Sequence, residues 1–508
     1  MVGSKGEGRR IEGQIIEWLA QQRVAAYLVG GCVRDRILGR PIYDLDVAVE
    51  RGGLALARRL ADHFQGAYYP LDSERDTGRA ILRVPQGQPV AVDVAGFRGP
   101  DLASDLADRD FTINALAANV RTPEEIVDLH NGLRDLEEGV IRPVSEAAIR
   151  HDPLRALRAV RQVAQLGFRL APETEALICR DGQALTAVAG ERVRDELARF
   201  LVLPHAAPHL ERLDHLGLLT LILPELEPLR GLEQPPPHYL PALAHSLETV
   251  RALEHLLVDL LPDLSLGPGG VAKGRGPFVP AEVESLAPFA SRLEEHLGEV
   301  FGDVRPRLVT LKLAALLHDT GKPTTRSVDE SGRIRFLGHP AKGAKIARAA
   351  LGRLRFNRCE VQLAETIVRH HMRPLLLAQQ ETVSKRAVYR FFRDTREAGL
   401  DVLLHALADQ GAIYGLTAAG QDAWSRLVAL TARMFADYWE RPAERVSPPA
   451  LISGRDLIRE FGLRPGSRIG DLLEAVREAQ ISGEIADREE ALAFVSRKLA
   501  EGHEAEGG

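Results

Sequence analysis

Three cysteines in 508 residues, Cys32, Cys179 and Cys359, are too few and too far apart for a disulfide framework or a CxxC zinc site. A reducing, cytoplasmic setting is therefore expected. No apolar run reaches the roughly 18 residues a membrane span requires. The start, Met1 to Ala20, carries Lys5, Arg9 and Arg10 but too short an apolar stretch for a signal peptide. A dominant charge is missing too: 65 basic against 71 acidic side chains leave a net −6. Any nucleic-acid binding must then come from a local basic face. With 45% hydrophobic and 27% charged residues, the chain is neither fibrous, collagen-like nor wholly disordered. At about 150 residues per domain it has room for three or four. It shows no internal repeat and no coiled-coil heptads.

The first ~140 residues mix strand and helix patterns. Ala25 to Val29 is a short apolar run ending at Gly30-Gly31; Val33 and Ile37 follow at helical spacing until Gly39 and Pro41 break it. Leu45, Val47 and Val49 alternate with Asp44, Asp46 and Ala48, which predicts a strand. A Pro85-Gln86-Gly87 turn leads to a second alternation, Val90, Val92 and Val94 opposite Ala91, Asp93 and Ala95. Beyond about Arg150 the pattern is almost wholly helical. Gly and Pro supply eight of the fourteen residues from Gly267 to Pro280, which predicts a flexible insertion. Helical patterns resume until Tyr438, and Arg445 to Pro449 predicts a linker to a small tail.

Asp44 and Asp46, one residue apart on a strand, leave the same face. Two such carboxylates repel unless a hard cation lies between them, and Mg²⁺ is the usual occupant. Asp93 on the next strand is placed to supply a third. Gly30-Gly31 lets the backbone approach a phosphate at the start of a helix, and Arg34, one turn in, can clamp the same triphosphate.

These residues carry a resemblance. Leu28-Val29-Gly30-Gly31-Cys32-Val33-Arg34-Asp35 with Asp44-Leu45-Asp46 resembles the signature of the class II tRNA nucleotidyltransferase and bacterial poly(A) polymerase family. Further motifs follow in family order. Arg109-Asp110-Phe111-Thr112-Ile113-Asn114-Ala115 resembles the block that contacts ribose and triphosphate. Asp128 to Asp135 resembles the loop after the head sheet, and Asp152-Pro153-Leu154-Arg155-Ala156-Leu157-Arg158 the base-reading helix; Glu191-Arg192 opens a further neck motif. Five ordered motifs over roughly 200 residues are a specific signal. Asp108 and His151 depart from the family, which usually has Arg and Glu there.

A helix over 152–164 puts Asp152, Arg155, Arg158 and Arg161 on one side and Leu154, Leu157, Val160, Val163 and Ala164 mostly on the other. On geometry alone this is an amphipathic helix with a solvated basic face. The resemblance makes Asp152 and Arg155 the pair that reads the incoming base. Ionised Asp only accepts and Arg only donates, so one fixed pair suits both cytosine and adenine. Uracil and guanine present the inverse pattern and would leave buried polar groups unpaired. Arg158 and Arg161 continue the arc, either ordering Arg155 or contacting phosphate. From Arg142 to Arg169 six Arg face two acidic residues, a local basic patch.

A second constellation lies downstream. Leu317-His318-Asp319-Thr320-Gly321-Lys322-Pro323 ends an apolar helix, with His245 before it and His339, His370 or His371, and Asp409 after. Each lies in or beside a predicted helix, suiting ligands that converge inside a bundle. Imidazole mixed with carboxylate favours Mn, Fe, Co, Ni or Zn over Mg. The set resembles the HD phosphohydrolase superfamily, in which His245, His318, Asp319 and Asp409 would hold a first metal. His339 and His370 or His371 would hold a second. Such a site activates water against a phosphate ester. The tail, Leu451 to Leu499, resembles the C-terminal helical segment of long HD-containing members.

The resemblance implies an α+β fold. It predicts a polymerase-β-like head with a mixed sheet (1–142), a helical neck (143–235), an all-α HD domain (236–445) and a helical tail (449–508). It implies addition of CMP and AMP from CTP and ATP to the 3′ end of tRNA, with Mg²⁺ in the head, a transition metal in the HD domain and no protein partner. Gly31, Arg34 and Arg109 would place the nucleotide. Rival readings are a poly(A) polymerase, an enzyme adding only C or only A, and an HD hydrolase with a non-catalytic RNA-binding head. A free-nucleotide phosphohydrolase is the last.

Overall fold

The structure is a computed structural model that describes residues 3–42, 44–84, 89–261, 283–301, 305–414 and 418–506. The Pro85-Gln86-Gly87 turn and the Gly267–Pro280 insertion lie outside the described residues. The rest falls into two compact units, one running to Pro224 and the other starting at Glu225. No helix among the described residues is long and apolar enough to cross a membrane.

The first unit is built on a mixed seven-stranded sheet. Its strands are β1 (Ala26–Val29), β2 (Asp44–Val49), β3 (Ala67–Asp72), β4 (Thr77–Leu82), β5 (Val90–Gly96), β6 (Leu116–Asn119) and β7 (Ile126–Asp128), in the spatial order β3-β4-β5-β2-β1-β6-β7. Only β2 and β5 run parallel, with Asp46 opposite Asp93 in their register. The period-2 pattern is realised as expected: Leu45, Val47, Val49, Val90, Val92 and Val94 are buried, while Asp44 is exposed and Asp46 and Asp93 half-buried. The helix Gly53–His63 lays Leu56, Ala57 and Leu60 on that apolar surface.

The neck helix spans Leu154–Leu166 and opens two residues after Asp152, whose own backbone is extended. Leu154, Leu157, Val160, Val163 and Leu166 are buried as the periodicity requires. The opposite arc is not the solvated basic face that geometry alone suggests. Arg155 is buried, and Arg158 and Arg161 are half-buried against Glu196 of the helix Gly190–Leu201.

The described residues of the second unit are helical apart from short two-stranded ribbons. Its central helix, Arg307–Leu317, is buried along its entire length. It packs beside Ala242–Leu260, Arg358–His370 and Gly399–Tyr414. The tail helices Gly454–Phe461, Ser467–Ser482 and Arg488–Glu506 enclose their own small core of Leu457, Val476, Phe494 and Val495. Salt bridges tie this tail to the helix Lys385–Thr395: Arg390 to Glu478, and Arg393 to Glu474 and Glu478.

One buried ion pair clamps the bundle. Arg307, 2% exposed at its side chain, donates to the fully buried Asp401 at 2.9–3.2 Å, and His296 Nε2 lies 3.2 Å from the same carboxylate. Arg307 opens the helix that ends at His318-Asp319, and Asp401 sits near the start of the helix that carries Asp409. Removing one partner of a buried pair leaves a charge without its main counterion. Arg307→Met should therefore lower the unfolding free energy of this unit by about 3–5 kcal/mol. Urea unfolding checks this, and a loss under about 1 kcal/mol would show that the pair is replaceable.

Candidate functional site

Chain geometry gathers the head residues around the end of β1. Gly30 has φ +77°, a conformation open to glycine at little cost, and the helix Gly31–Ile37 starts immediately after it. A Cβ on Gly30 would lie 2.9 Å from Arg109 Nη1 and 3.3 Å from Asp46 Oδ2. The backbone, a guanidinium and a carboxylate thus meet at one point. Arg109 is anchored by Asp105, to which its Nε and Nη2 donate at 3.2 and 2.9 Å.

Burial pushes the Asp46 carboxyl up to about 6; Arg109 opposes this, while Asp93 and Asp44 reinforce it. A cation would relieve that repulsion. Asp93 is already engaged, however: Arg79, its cross-strand neighbour on β4, grips it through two 2.7 Å bonds. Asp44, Asp46 and Asp93 do not close to within 4.8 Å of one another as a group. Of the three, Asp93 is the one whose charge a guanidinium grips through two bonds.

From the same point a hydrogen-bond chain runs to the neck. Arg34 donates to Asp35 at 2.8–2.9 Å and through Nη1 to Asn114 Oδ1 at 2.7 Å. Asn114 donates to Asp110 Oδ1 at 2.9 Å, and Arg158 donates to Asp110 Oδ2 at 3.2 Å. Burial would raise the Asp110 carboxyl, but Arg158, Asn114 and the Phe111 N–H together hold it below its ordinary value. Arg161 donates to Glu196 at 2.6 Å. Arg158 and Arg161 thus order the neck rather than facing outward.

Asp152 and Arg155 reach the same helix start, each with its own partner. Asp152 Oδ2 accepts from Arg192 at 2.9 Å. Arg155 donates to the carbonyl oxygens of Asp108 at 2.6 Å and Ala148 at 3.3 Å. Gly31 lies over the Arg34 guanidinium.

The second constellation converges, but Asp319, expected with His245, His318 and Asp409, falls instead with His339 and His371. His245, His318 and Asp409 form one group, and Asp319, His339 and His371 another; within each, the ligand atoms lie within 4.8 Å of one another. Of the adjacent pair His370 and His371, it is His371 that turns inward, just past the end of the helix Arg358–His370; His370 stays half-buried outside both groups. Gly321 lets the His318 turn press against the next helix, because a Cβ there would meet the His339 carbonyl oxygen at 2.1 Å.

The donor chemistry fits divalent metal. His318, His339 and His371 each donate Nδ1–H to the carbonyl three residues earlier, on Ala315, Phe336 and Val368, at 2.7–2.8 Å. In the neutral rings each Nε2 therefore carries the lone pair; at His318 burial disfavours a proton, but Asp319 and Asp409 outweigh it and raise the pKa. Two of these Nε2 atoms, on His339 and His371, face each other at 3.2 Å. Burial and the neighbouring imidazoles hold His371 well below its usual range, so a proton is poorly placed to relieve the contact. Among the described residues, the buried atoms His318 Nε2 and Asp319 Oδ1 meet no hydrogen-bond criterion, although His318 Nε2 lies 3.3 Å from Asp319 Oδ2.

Two residues of this site escaped the sequence reading. Lys322 Nζ donates to Asp319 Oδ2 at 2.6 Å and to Gln234 Oε1. His405 is wholly buried against His318 and His371. Their signals were the spacings Asp319 to Lys322 (i, i+3) and His405 to Asp409 (i, i+4), both faint among ordinary helical patterns.

The Poly A polymerase head domain model matches residues 26–142, the HD domain model 285–410 and tRNA nucleotidyltransferase domain 2 residues 447–495. An A-adding tRNA nucleotidyltransferase of Deinococcus radiodurans is 35% identical, the alignment covering 93% of this chain and 95% of that protein. A CC-adding tRNA nucleotidyltransferase of Thermus thermophilus is 34% identical over 92% of this chain and 93% of that one. A solved CCA-adding enzyme with ATP shares the fold, with TM-score 0.59 at 21% identity, covering 96% of this chain and 94% of that one. The chain belongs to the class II tRNA nucleotidyltransferase and poly(A) polymerase family, in the branch that also carries an HD domain.

Proposed function

We propose that the chain adds CMP and AMP from CTP and ATP to the 3′ end of tRNA and releases pyrophosphate. The observation that carries this reading is the meeting of Gly30, Arg109 and Asp46 at one point, beside Arg34, which Asn114 and Asp110 join to the neck helix. The division of labour follows: head 1–142 for chemistry, neck 143–235 for base choice, HD domain 236–445 for phosphate-ester hydrolysis, tail 449–508 for packing. Its substrates place this work in the cytoplasm.

The all-oxygen pair Asp44 and Asp46 suits Mg²⁺, which when bound eases deprotonation of the primer hydroxyl and screens the triphosphate. The chain's own groups do the positioning. The backbone at Gly30-Gly31 admits a phosphate close to the helix start, and Arg109, held by Asp105, offers its remaining N–H groups beside Asp46. Arg34, braced by Asp35 and Asn114, stiffens that turn from beneath. Asp152 and Arg155, one acceptor and one donor at the neck, select cytosine or adenine over uracil or guanine once the base displaces part of their present contacts.

A partial reaction is the second reading. It is favoured by the nearly equal identity to an A-adding and a CC-adding enzyme, 35% and 34%. Incubation with tRNA ending at the discriminator base, and separately with tRNA ending in CC, with each NTP in turn separates the readings. Label from CTP and then ATP, stopping after three additions, is the expected result. Addition of C only, of A only to the CC end, or of a long A tract would replace it.

The HD site, with its imidazole and carboxylate donors, suits a divalent transition metal, which when bound supplies an activated water for phosphate-ester hydrolysis. RNA ends carrying 2′,3′-cyclic or terminal phosphates are the proposed substrates, since such ends cannot be extended until trimmed.

Three outcomes are expected. Asp46→Asn should reduce nucleotide addition by roughly three orders of magnitude while tRNA binding in a filter assay stays intact; near-wild-type turnover would remove Asp46 from the metal site. Asp152→Ala and Arg155→Ala should raise UTP and GTP misincorporation relative to CTP and ATP. Unchanged selectivity in both would mean that other groups read the base. Finally, His318→Ala with Asp319→Ala should abolish phosphohydrolase activity and leave addition to an intact 3′ hydroxyl. If the wild-type protein, supplied with Mn²⁺, Ni²⁺ or Co²⁺, hydrolyses no RNA-end phosphate, the HD assignment fails.

A further inference from the structure

The sheet face that carries Asp44 and Asp46 does not end at the carboxylates. Strand register continues it outward in one row. Asp46 on β2 lies opposite Asp93 on β5, Asp93 opposite Arg79 on β4, and Arg79 opposite Tyr69 on β3. Residues paired across strands share a face, so Tyr69 stands on the side that bears Asp46. Its neighbour fixes the direction independently. The Arg58 guanidinium, on the helix Gly53–His63, lies 5.7 Å from the Tyr68 ring centroid. A Cβ on Gly78 would meet Ala57 Cβ at 2.9 Å and Tyr68 Cε2 at 3.1 Å, so Tyr68 belongs to the layer beneath that helix. Alternation along β3 then turns Tyr69 the opposite way.

This aromatic ring does not serve the core. Tyr69 is 50% exposed on the outermost strand of the sheet. Beside it, a bulge after Pro70 takes Leu71 out of register and leaves it 48% exposed. A lone exposed apolar residue is ordinary; two together on one sheet edge, in line with a carboxylate row, form a platform. Strands lie about 4.8 Å apart, so three steps put Tyr69 about 14 Å from Asp46. A stacked nucleic-acid strand rises about 3.4 Å per nucleotide, so about four nucleotides span that distance.

The direction of the chemistry selects the occupant. Gly30, Gly31, Arg34 and Arg109 gather at the end of β1, on one side of Asp46, and β5, β4 and β3 continue on the other. Attacking and leaving oxygens lie roughly in line across the reacting phosphorus. With the outer phosphates on the β1 side, the attacking 3′ hydroxyl arrives from the side of Asp93, and the strand behind it runs out over β4 and β3. We propose that Tyr69 is a stacking platform for the unpaired 3′ end of the RNA primer, extended along the edge by Leu71. The proposal rests on the reading of the head as the nucleotidyl-transfer site. Every base has a π-face, so one ring can hold the end whichever nucleotide was added last. That tolerance suits a primer whose terminal base changes with each addition.

The test uses the full-length protein and tRNA carrying 2-aminopurine, in turn, at each of the last few nucleotides of its 3′ end. Stacking on an aromatic ring quenches that base. KM for tRNA and KM for the incoming nucleotide, measured separately, distinguish primer binding from triphosphate binding. Tyr69→Phe keeps a flat ring, Tyr69→Ala removes it, and Tyr69→Leu stays apolar without one, which serves should Tyr69→Ala melt early. The expected result is quenching at one position with the wild type and Tyr69→Phe, lost in Tyr69→Ala and Tyr69→Leu. KM for tRNA should rise roughly 10-fold in those two variants, with KM for the nucleotide unchanged. Wild-type quenching and wild-type KM for tRNA in a folded Tyr69→Ala or Tyr69→Leu protein would overturn the proposal alone. So would a concentration-dependent wild-type dimer that Tyr69→Ala dissolves, which would assign the edge to a second copy of the chain. A wild-type protein that extends no tRNA with any NTP would overturn the reading of the head itself.

Discussion

Like charges and like lone pairs held close together inside the protein are the constraint around which both sites are arranged. In the head, the parallel register of β2 and β5 puts Asp46 beside Asp93, with Asp44 two residues away. Arg79 answers one of the three, Arg109 leans on a second, and burial still lifts Asp46 to about 6. In the bundle, the Nε2 lone pairs of His339 and His371 point at each other across 3.2 Å. Neither arrangement is comfortable without added positive charge. The framework that enforces them, a seven-stranded sheet in one unit and the Arg307–Asp401 clamp in the other, must be stable enough to hold that repulsion.

The basic character of the neck is mostly turned inward. Of the Arg surplus between 142 and 169, Arg158 and Arg161 are matched by Asp110 and Glu196, Arg142 by Asp135, and Arg155 by two carbonyls. Their service is rigidity: the network from Asp35 through Arg34, Asn114 and Asp110 couples the phosphate-side turn to the helix that bears Arg155. A base-selecting pair needs a fixed distance to the triphosphate, because hydrogen-bond discrimination falls away when the donor and acceptor can follow the wrong base.

Much of this was legible from short-range pattern. The alternation around Leu45, Val47 and Val49 placed Asp44 and Asp46 on one face, and the five ordered motifs gave the family. What stayed hidden depends on residues distant in sequence. Arg79 answers Asp93 only because β4 and β5 adopt one particular register, which no single strand specifies. The arc Arg155, Arg158 and Arg161 reads as solvated until Asp110 and Glu196, some 40 residues away on either side, cover it. His370 and His371 could not be separated, because neighbours on a helix differ by 100° and the deciding fact is where the helix stops.

The three Nδ1-to-carbonyl bonds of His318, His339 and His371 have a kinetic meaning as well. Each ring is locked in one tautomer and one orientation by its own turn of backbone, before any ion arrives. Capture of an ion there would require neither a proton swap between ring nitrogens nor a ring flip, so the loading rate of such a preset receptor would be governed by access and by shedding of water from the incoming ion. Damage to the backbone at those turns would slow loading without removing a single ligand.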